Sequence, residues 1–267
     1  MVEILKKNIL HGRVICNEVI NHYNNKLPEV TISDNIEILT VIDKSSISNA
    51  SLKKVNIKNG EVKFLMVDKY IKWTSKIEET LNYLETNYDT LPEYVMYLDG
   101  SDTLIINDII DPKKILDYYN CKVLFNSEPD FWHTGASSPN DIKKYYDILY
   151  TDIKDDYLKK SREKYDFNYY NRSSLNAGVF LGEKDYVIKL LSETLDIMKD
   201  DYNKGFPYGC MDDQCVLKFL HNKYFDDISI DLFHTTMLWG TRDTLTDKED
   251  YFKVNYLKKF KEKYENK

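Results

Sequence analysis

The sequence predicts an α/β fold, with a mostly parallel central sheet flanked by helices, and three observations carry that expectation. Short apolar runs of strand length alternate along the chain with segments of helical periodicity. One run, Tyr94 to Leu98, is apolar at every position, the pattern of a central strand covered on both faces. Polar and turn-forming residues follow these runs directly, and open α/β sheets bind ligands beyond the carboxyl ends of their strands. A chain of 267 residues is expected to form one elaborated domain over 1–267, with a charged, tyrosine-rich helical insertion at about 137–172 and a helical tail from about 252.

Residues before 36 read as helical. Ile36 to Ile42 reads as a strand stopped by Asp43, and Val55 to Ile57 and Val62 to Val67 as short strands with an Asn59-Gly60 turn between them. Trp73, Ile77, Leu81 and Leu84 fall on one helical face that ends near Asn87. Pro112 opens a helix through Tyr119. Lys122 to Phe125, Val179 to Leu181 and Ile228 to Leu232 read as strands, and Lys184 to Met198 and Asp212 to His221 as helices.

Hydrophobic residues at 42% and charged residues at 30% exclude a disordered chain, and no apolar run is long enough to cross a bilayer. The N-terminus has no signal-peptide pattern, so a cytoplasmic setting is expected. Cys16, Cys121, Cys210 and Cys215 lack the paired spacing of a zinc site and read as reduced thiols. A formal charge of −7 discourages nonspecific binding to nucleic-acid phosphates or anionic membranes.

The strand Tyr94 to Leu98 runs into Asp99-Gly100-Ser101-Asp102, where two small residues let a tight turn aim both carboxylates at one point. Hard oxygen ligands in that arrangement suit Mn2+ or Mg2+ bound to a diphosphate; aspartates that only bond their own turn have the same spacing. Ser75 and Glu78 have capping-box spacing, which puts Lys76 in a first helical turn, where a bound anion would relieve its conflict with the helix dipole. An exposed lysine is the alternative. Phe125 to Glu128 ends a strand on polar groups suited to sugar hydroxyls, with Trp132 as an apolar platform or a core residue. Leu175-Asn176-Ala177-Gly178 offers an amide beside two small residues for close approach of a sugar, or a plain turn. Of Asp212 and Asp213, one caps a helix and the other is left to orient a hydroxyl or act as general base. His234, just past the strand Ile228 to Leu232, is the best placed of five histidines for a third metal ligand, with a structural histidine as the alternative.

The chain has no Walker loop, dinucleotide fingerprint, nucleophile elbow or His-Glu-x-x-His helix. The order of its motifs resembles the glycosyltransferase domain of the procollagen lysyl hydroxylase/glycosyltransferase family, with its viral and microbial relatives. Lys76-Ile77, Tyr94 to Asp102, Phe125 to Trp132, and Leu175 to Gly182 followed by Asp212-Asp213-Gln214 carry the resemblance, over roughly residues 36 to 235. Ser101 stands where the family's turn often has an aromatic, and Tyr70 to Thr74 replaces its glycine-rich approach to the first helix.

The resemblance implies a single Rossmann-like domain of the GT-A type and metal-dependent transfer of a hexose from a UDP-sugar to a hydroxyl. Asp99 and Asp102 would bind Mn2+ and the diphosphate. Lys76, Glu128, Trp132, Asn176 and Gly178 would line the donor site, Asp212 and Asp213 would face donor sugar or acceptor, and His234 would complete the metal site. The acceptor would be a protein, glycan or small molecule, with modified DNA disfavoured by net acidity. Iron-dependent lysyl hydroxylation is not implied. A noncatalytic carbohydrate- or nucleotide-binding module and a metal-dependent phosphohydrolase are the alternatives.

Overall fold

A computed structural model describes residues 7–70, 72–128, 174–203, 213–231 and 236–239. The expected insertion at 137–172 and the tail from 252 lie outside these residues, as do Trp132, Asp212 and His234.

The elements run β1 (Ile9–His11), α1 (Arg13–His22), β2 (Glu29–Thr31), β3 (Ile36–Asp43), β4 (Asn56–Asn59), β5 (Val62–Val67), α2 (Lys72–Thr86), β6 (Tyr94–Leu98) and β7 (Thr103–Ile105). They continue through α3 (Pro112–Tyr119), β8 (Val123–Glu128), β9 (Ser174–Glu183), α4 (Lys184–Asn203), α5 (Asp213–Lys223), β10 (Ile228–Ile230) and β11 (Met237–Trp239). Six strands form the main sheet in the order β10-β8-β9-β6-β3-β5, with every neighbouring pair parallel except the two that involve β9. The fold is thus mixed α/β with a mostly parallel sheet.

Residues of β6 alternate between two cores. Val95 and Tyr97 pack with Leu81 and Leu84 of α2, Leu191 of α4 and Leu217 of α5. Met96 and Leu98 face the opposite layer, with Leu116 and Tyr119 of α3. The apolar pentapeptide is therefore covered on both sides, each large buried side chain contributing roughly 1.5–3 kcal/mol. Pro112 does open α3: Asp111 caps it by accepting from Lys114 N at 2.9 Å, and Asn120 closes it in the left-handed region at φ 48°.

Four local expectations change. The segment before residue 36 holds two strands as well as a helix. The strands on either side of Asn59-Gly60 do not pair with each other; β4 pairs with β2, and β5 with β3, so the turn hands the chain from one sheet to another. Ser75 is not a helix cap, because α2 begins at Lys72, and Lys76 lies in its second turn. Leu175 to Gly178 is not a turn before a strand but part of β9 itself.

A second sheet, β11-β1-β7, lies beside the carboxyl end of β6, because β7 follows the Asp99–Asp102 turn at once. In it Ile9, Leu10 and His11 pair with Ile105, Leu104 and Thr103 on one side and with Met237, Leu238 and Trp239 on the other. Among the described residues no helix is long and apolar enough to cross a membrane.

Candidate metal centre and cleft

The Asp99–Asp102 turn is held by its backbone on four sides. Asp99 N donates to Gly178 O at 2.8 Å, and Gly100 O accepts from Leu52 N at 3.3 Å. Ser101 O accepts from the Ser51 hydroxyl at 3.0 Å. Asp102 O accepts from Gly12 N at 2.7 Å and from the Cys16 thiol at 3.2 Å. This frame leaves the carboxylates to point elsewhere. Among the described residues neither one accepts a backbone N–H, and the single hydrogen bond to them is from Ser101 Oγ to Asp102 Oδ1, at 3.2 Å. Asp43, at the end of β3, behaves oppositely: its Oδ1 accepts from Ser45 N at 3.0 Å and Ser46 N at 2.9 Å, as a turn cap should.

Both carboxylates converge on His11. Its Nε2 lies 3.8 Å from Asp99 Oδ2 and 3.7 Å from Asp102 Oδ1, and one donor atom from each of the three residues falls within 4.8 Å of the others. Sequence reasoning missed His11. The available signal was a short apolar run, Ile9-Leu10, ending on a polar side chain followed by glycine.

A bulge brings the Asn-Ala-Gly segment to the same place. Phe125 pairs with Phe180 but Asn126 pairs with Asn176, so Ala177, Gly178 and Val179 bow out of register with β8 and toward the Asp99 turn. Asn176 Oδ1 accepts from Gly178 N at 2.9 Å, and Gln214 Oε1 accepts from Ala177 N at 3.0 Å, fixing the bow from within and from α5. A Cβ on Gly178 would stand 2.3 Å from His11 Cε1 and 2.7 Å from Asp99 Oδ2. Only glycine clears these two side chains.

Lys76 projects from α2 into the base of the cleft. Its Nζ lies 2.5 Å from Asp213 Oδ2, 3.8 Å from Asp99 Oδ1 and 3.2 Å from Ala177 O, and 5.3 Å above the centre of the Tyr97 ring. Burial acts most strongly on this ammonium and would lower its pKa, but Asp213, Asp99 and Tyr70 reverse the effect and hold it above the ordinary lysine value. Burial also dominates at Asp213 and pushes its carboxyl upward, against the pull of Lys76. These two shifts oppose each other over the charge of the pair. With a second carboxylate 3.8 Å away the ammonium keeps its proton, and the pair is ionised.

The cleft has a volume of about 690 Å³. His11, Lys76, Asp99, Asn176, Gly178 and Asp213 all border it, as do Asp43, Tyr70 and Arg13. Of the expected site residues, Lys76, Asp99, Asn176, Gly178 and Asp213 are therefore brought together, and Asp102 joins them through His11. Asn126 and Ser127, expected to meet sugar hydroxyls, are fully buried in β8, with Ser127 Oγ donating to Asp231 O at 2.9 Å. Glu128 is the last residue of β8, paired in register with Ser174.

One imidazole and two carboxylates form a donor set that could hold a divalent cation. The separations are too long for hydrogen bonds and wide enough for atoms that share an ion. No protein-family model matches this chain, and neither does any curated protein sequence.

Proposed function

We propose that the protein is a metal-dependent glycosyltransferase of the GT-A type, moving a hexose from a UDP-sugar to a hydroxyl acceptor. The observation that carries this reading is the condition of the Asp-x-x-Asp turn. Its backbone is tied down on four sides while its two carboxylates, unused by that backbone, converge on the rim of a cleft large enough for a nucleotide-linked sugar. The order of motifs that resembles the lysyl hydroxylase/glycosyltransferase family supports the choice of reaction within the wider class of metal sites.

Asp99 and Asp102 would hold Mn2+ or Mg2+. A divalent ion bound there supplies positive charge to a departing diphosphate. In the transfer, the bond between the anomeric carbon and the diphosphate oxygen breaks, the acceptor oxygen bonds to that carbon, and the acceptor proton is given up to a base. Lys76 adds a fixed positive charge beside Asp99 and needs no reorganisation during the reaction. Asp213 is engaged with Lys76 and orients it, and the tandem Asp212 and Asp213 would face donor sugar or acceptor, as the resemblance implies. Asn176 holds the bowed strand against which the donor sugar would lie, with Gly178 permitting the close approach. A cytoplasmic setting and an acceptor hydroxyl on a protein, glycan or small molecule complete the reading.

Incubation of the full chain with UDP-sugars, Mn2+ and candidate acceptors, followed by measurement of free UDP and mass spectrometry of the acceptors, tests it. UDP release with a hexose mass added to an acceptor is the expected result. Binding without UDP release for any donor would leave a carbohydrate- or nucleotide-binding module, and release of inorganic phosphate would leave a phosphohydrolase.

A further inference from the structure

We propose that His11, carried by the first strand, is the third ligand of the cation site, and that its nitrogen makes the site prefer Mn2+ to Mg2+. The inference rests on the metal reading above but needs no sugar chemistry.

The first support is an unmet imidazole. His11 is only 5% exposed, its Nδ1 has no hydrogen-bond partner among the described residues, and its Nε2 stands beyond hydrogen-bonding distance of both carboxylates. Nε2 is thus aimed between two carboxylates that it does not hydrogen-bond, which leaves that nitrogen for a ligand shared with them. The gap is the right kind of gap. Ligand atoms about 2.1 Å from one ion stand roughly 3 Å apart at right angles and farther at wider angles.

The second support is how rigidly His11 is set against its partners. Thr103, its register partner on β7, directly follows Asp102. Gly12, the next residue after His11, donates its N–H to the Asp102 carbonyl at 2.7 Å. Gly12 adopts φ 120°, a conformation that side chains disfavour, and so lets β1 turn into α1 immediately after the histidine. The imidazole and the Asp102 carboxylate thus rise from two strands joined at that point. Gly178 completes the arrangement by leaving empty the space where a Cβ would strike both His11 and Asp99.

The charge balance points the same way. Asp99 and Asp102 set two carboxylates beside His11, and Lys76, the ammonium 3.8 Å from Asp99, is already paired with Asp213. An imidazole among the ligands suits a transition ion, whereas Mg2+ favours an all-oxygen shell and keeps its waters.

The test uses the full chain and Mn2+ alone. Calorimetry should show that Mn2+ binds more tightly than Mg2+, and His11→Ala should weaken Mn2+ by about tenfold or more, the scale on which ligand environments tune affinity. His11→Gln, which offers oxygen in place of nitrogen at similar volume, should shift the preference toward Mg2+. Because a buried histidine can matter to folding, electron spin-echo spectra of the Mn2+-loaded unmodified chain give a second readout. They should carry a nitrogen coupling that persists in His234→Ala. Unchanged Mn2+ affinity in a folded His11→Ala protein, an absent nitrogen coupling, or its loss in His234→Ala would each overturn the proposal. If Mn2+ binds through His11 but no UDP-sugar is consumed, the inference stands and the transferase reading fails.

Discussion

Lys76 Nζ and Asp213 Oδ2 meet at 2.5 Å, with the two residues 4% and 1% exposed, so an ion pair from helices α2 and α5 is sealed beneath the cleft. Beside it, Lys76 faces Asp99 Oδ1 while Asp99 Oδ2 faces His11. One carboxylate therefore joins the buried pair to the candidate metal centre.

Removing one partner of the pair strands the other charge in a low-dielectric site. Lys76→Met should destabilise the fold by about 3–5 kcal/mol, far more than loss of a surface lysine. Chemical-denaturation midpoints of Lys76→Met, and of an exposed lysine such as Lys113→Met as control, measure the difference. Equal small losses in both would mean that the pair is solvated.

Gly178→Ala forces a methyl group into the convergence of His11 and Asp99. Overpacking of this kind costs about 1–3 kcal/mol, and here the strain falls on two donor groups. Mn2+ affinity should fall more steeply than thermal stability. A variant with full Mn2+ affinity would show that His11 and Asp99 do not approach so closely.

Asp99→Asn and Asp102→Asn keep size and turn-forming ability but remove the charge that holds a cation. Neither carboxylate caps its own backbone, so both variants should fold with metal-free stability near that of the unmodified chain. UDP release should drop by orders of magnitude in each. The transferase reading is falsified if either variant retains near-normal Mn2+-dependent turnover.

Alkaline pH should weaken the fold. Burial raises the pKa of Tyr97, Tyr70 and the Cys16 thiol, and Asp213 with Asp99 raises that of Lys76 against its own burial. Each folded value lies above the unfolded one, so each group's contribution is fully present below the unfolded pKa and is lost as pH rises toward the folded pKa. Stability should be level up to about pH 8 and decline from there, first through Cys16 near pH 8.5 and then through tyrosine and lysine near pH 10. Denaturation midpoints across that range measure it, and a flat profile to about pH 10.5 would contradict the burial of these groups.

Features whose causes are local are legible in residue order alone. An apolar pentapeptide that ends on Asp99-Gly100-Ser101-Asp102 can hardly be other than a covered strand feeding a turn, and Asp111-Pro112 states the start of α3 through a cap and a fixed φ. Where one local pattern serves two purposes, residue order alone does not separate them. Ser75 and Glu78 are three residues apart, a spacing shared by a capping box and by any two neighbours on one helical face, and only the packed helix shows that Lys76 belongs to its interior. The direction of β9 was likewise hidden, because alternating side chains look the same in parallel and antiparallel strands. His11 was the least legible. Its three-residue strand carries too little periodicity to announce itself, and its place beside Asp99 and Asp102 depends on hydrogen-bond register with β7 and β11, elements distant in sequence. The chemistry of each side chain was written in the sequence, but its neighbours were decided by which strands paired, since register sets distance and residue order does not.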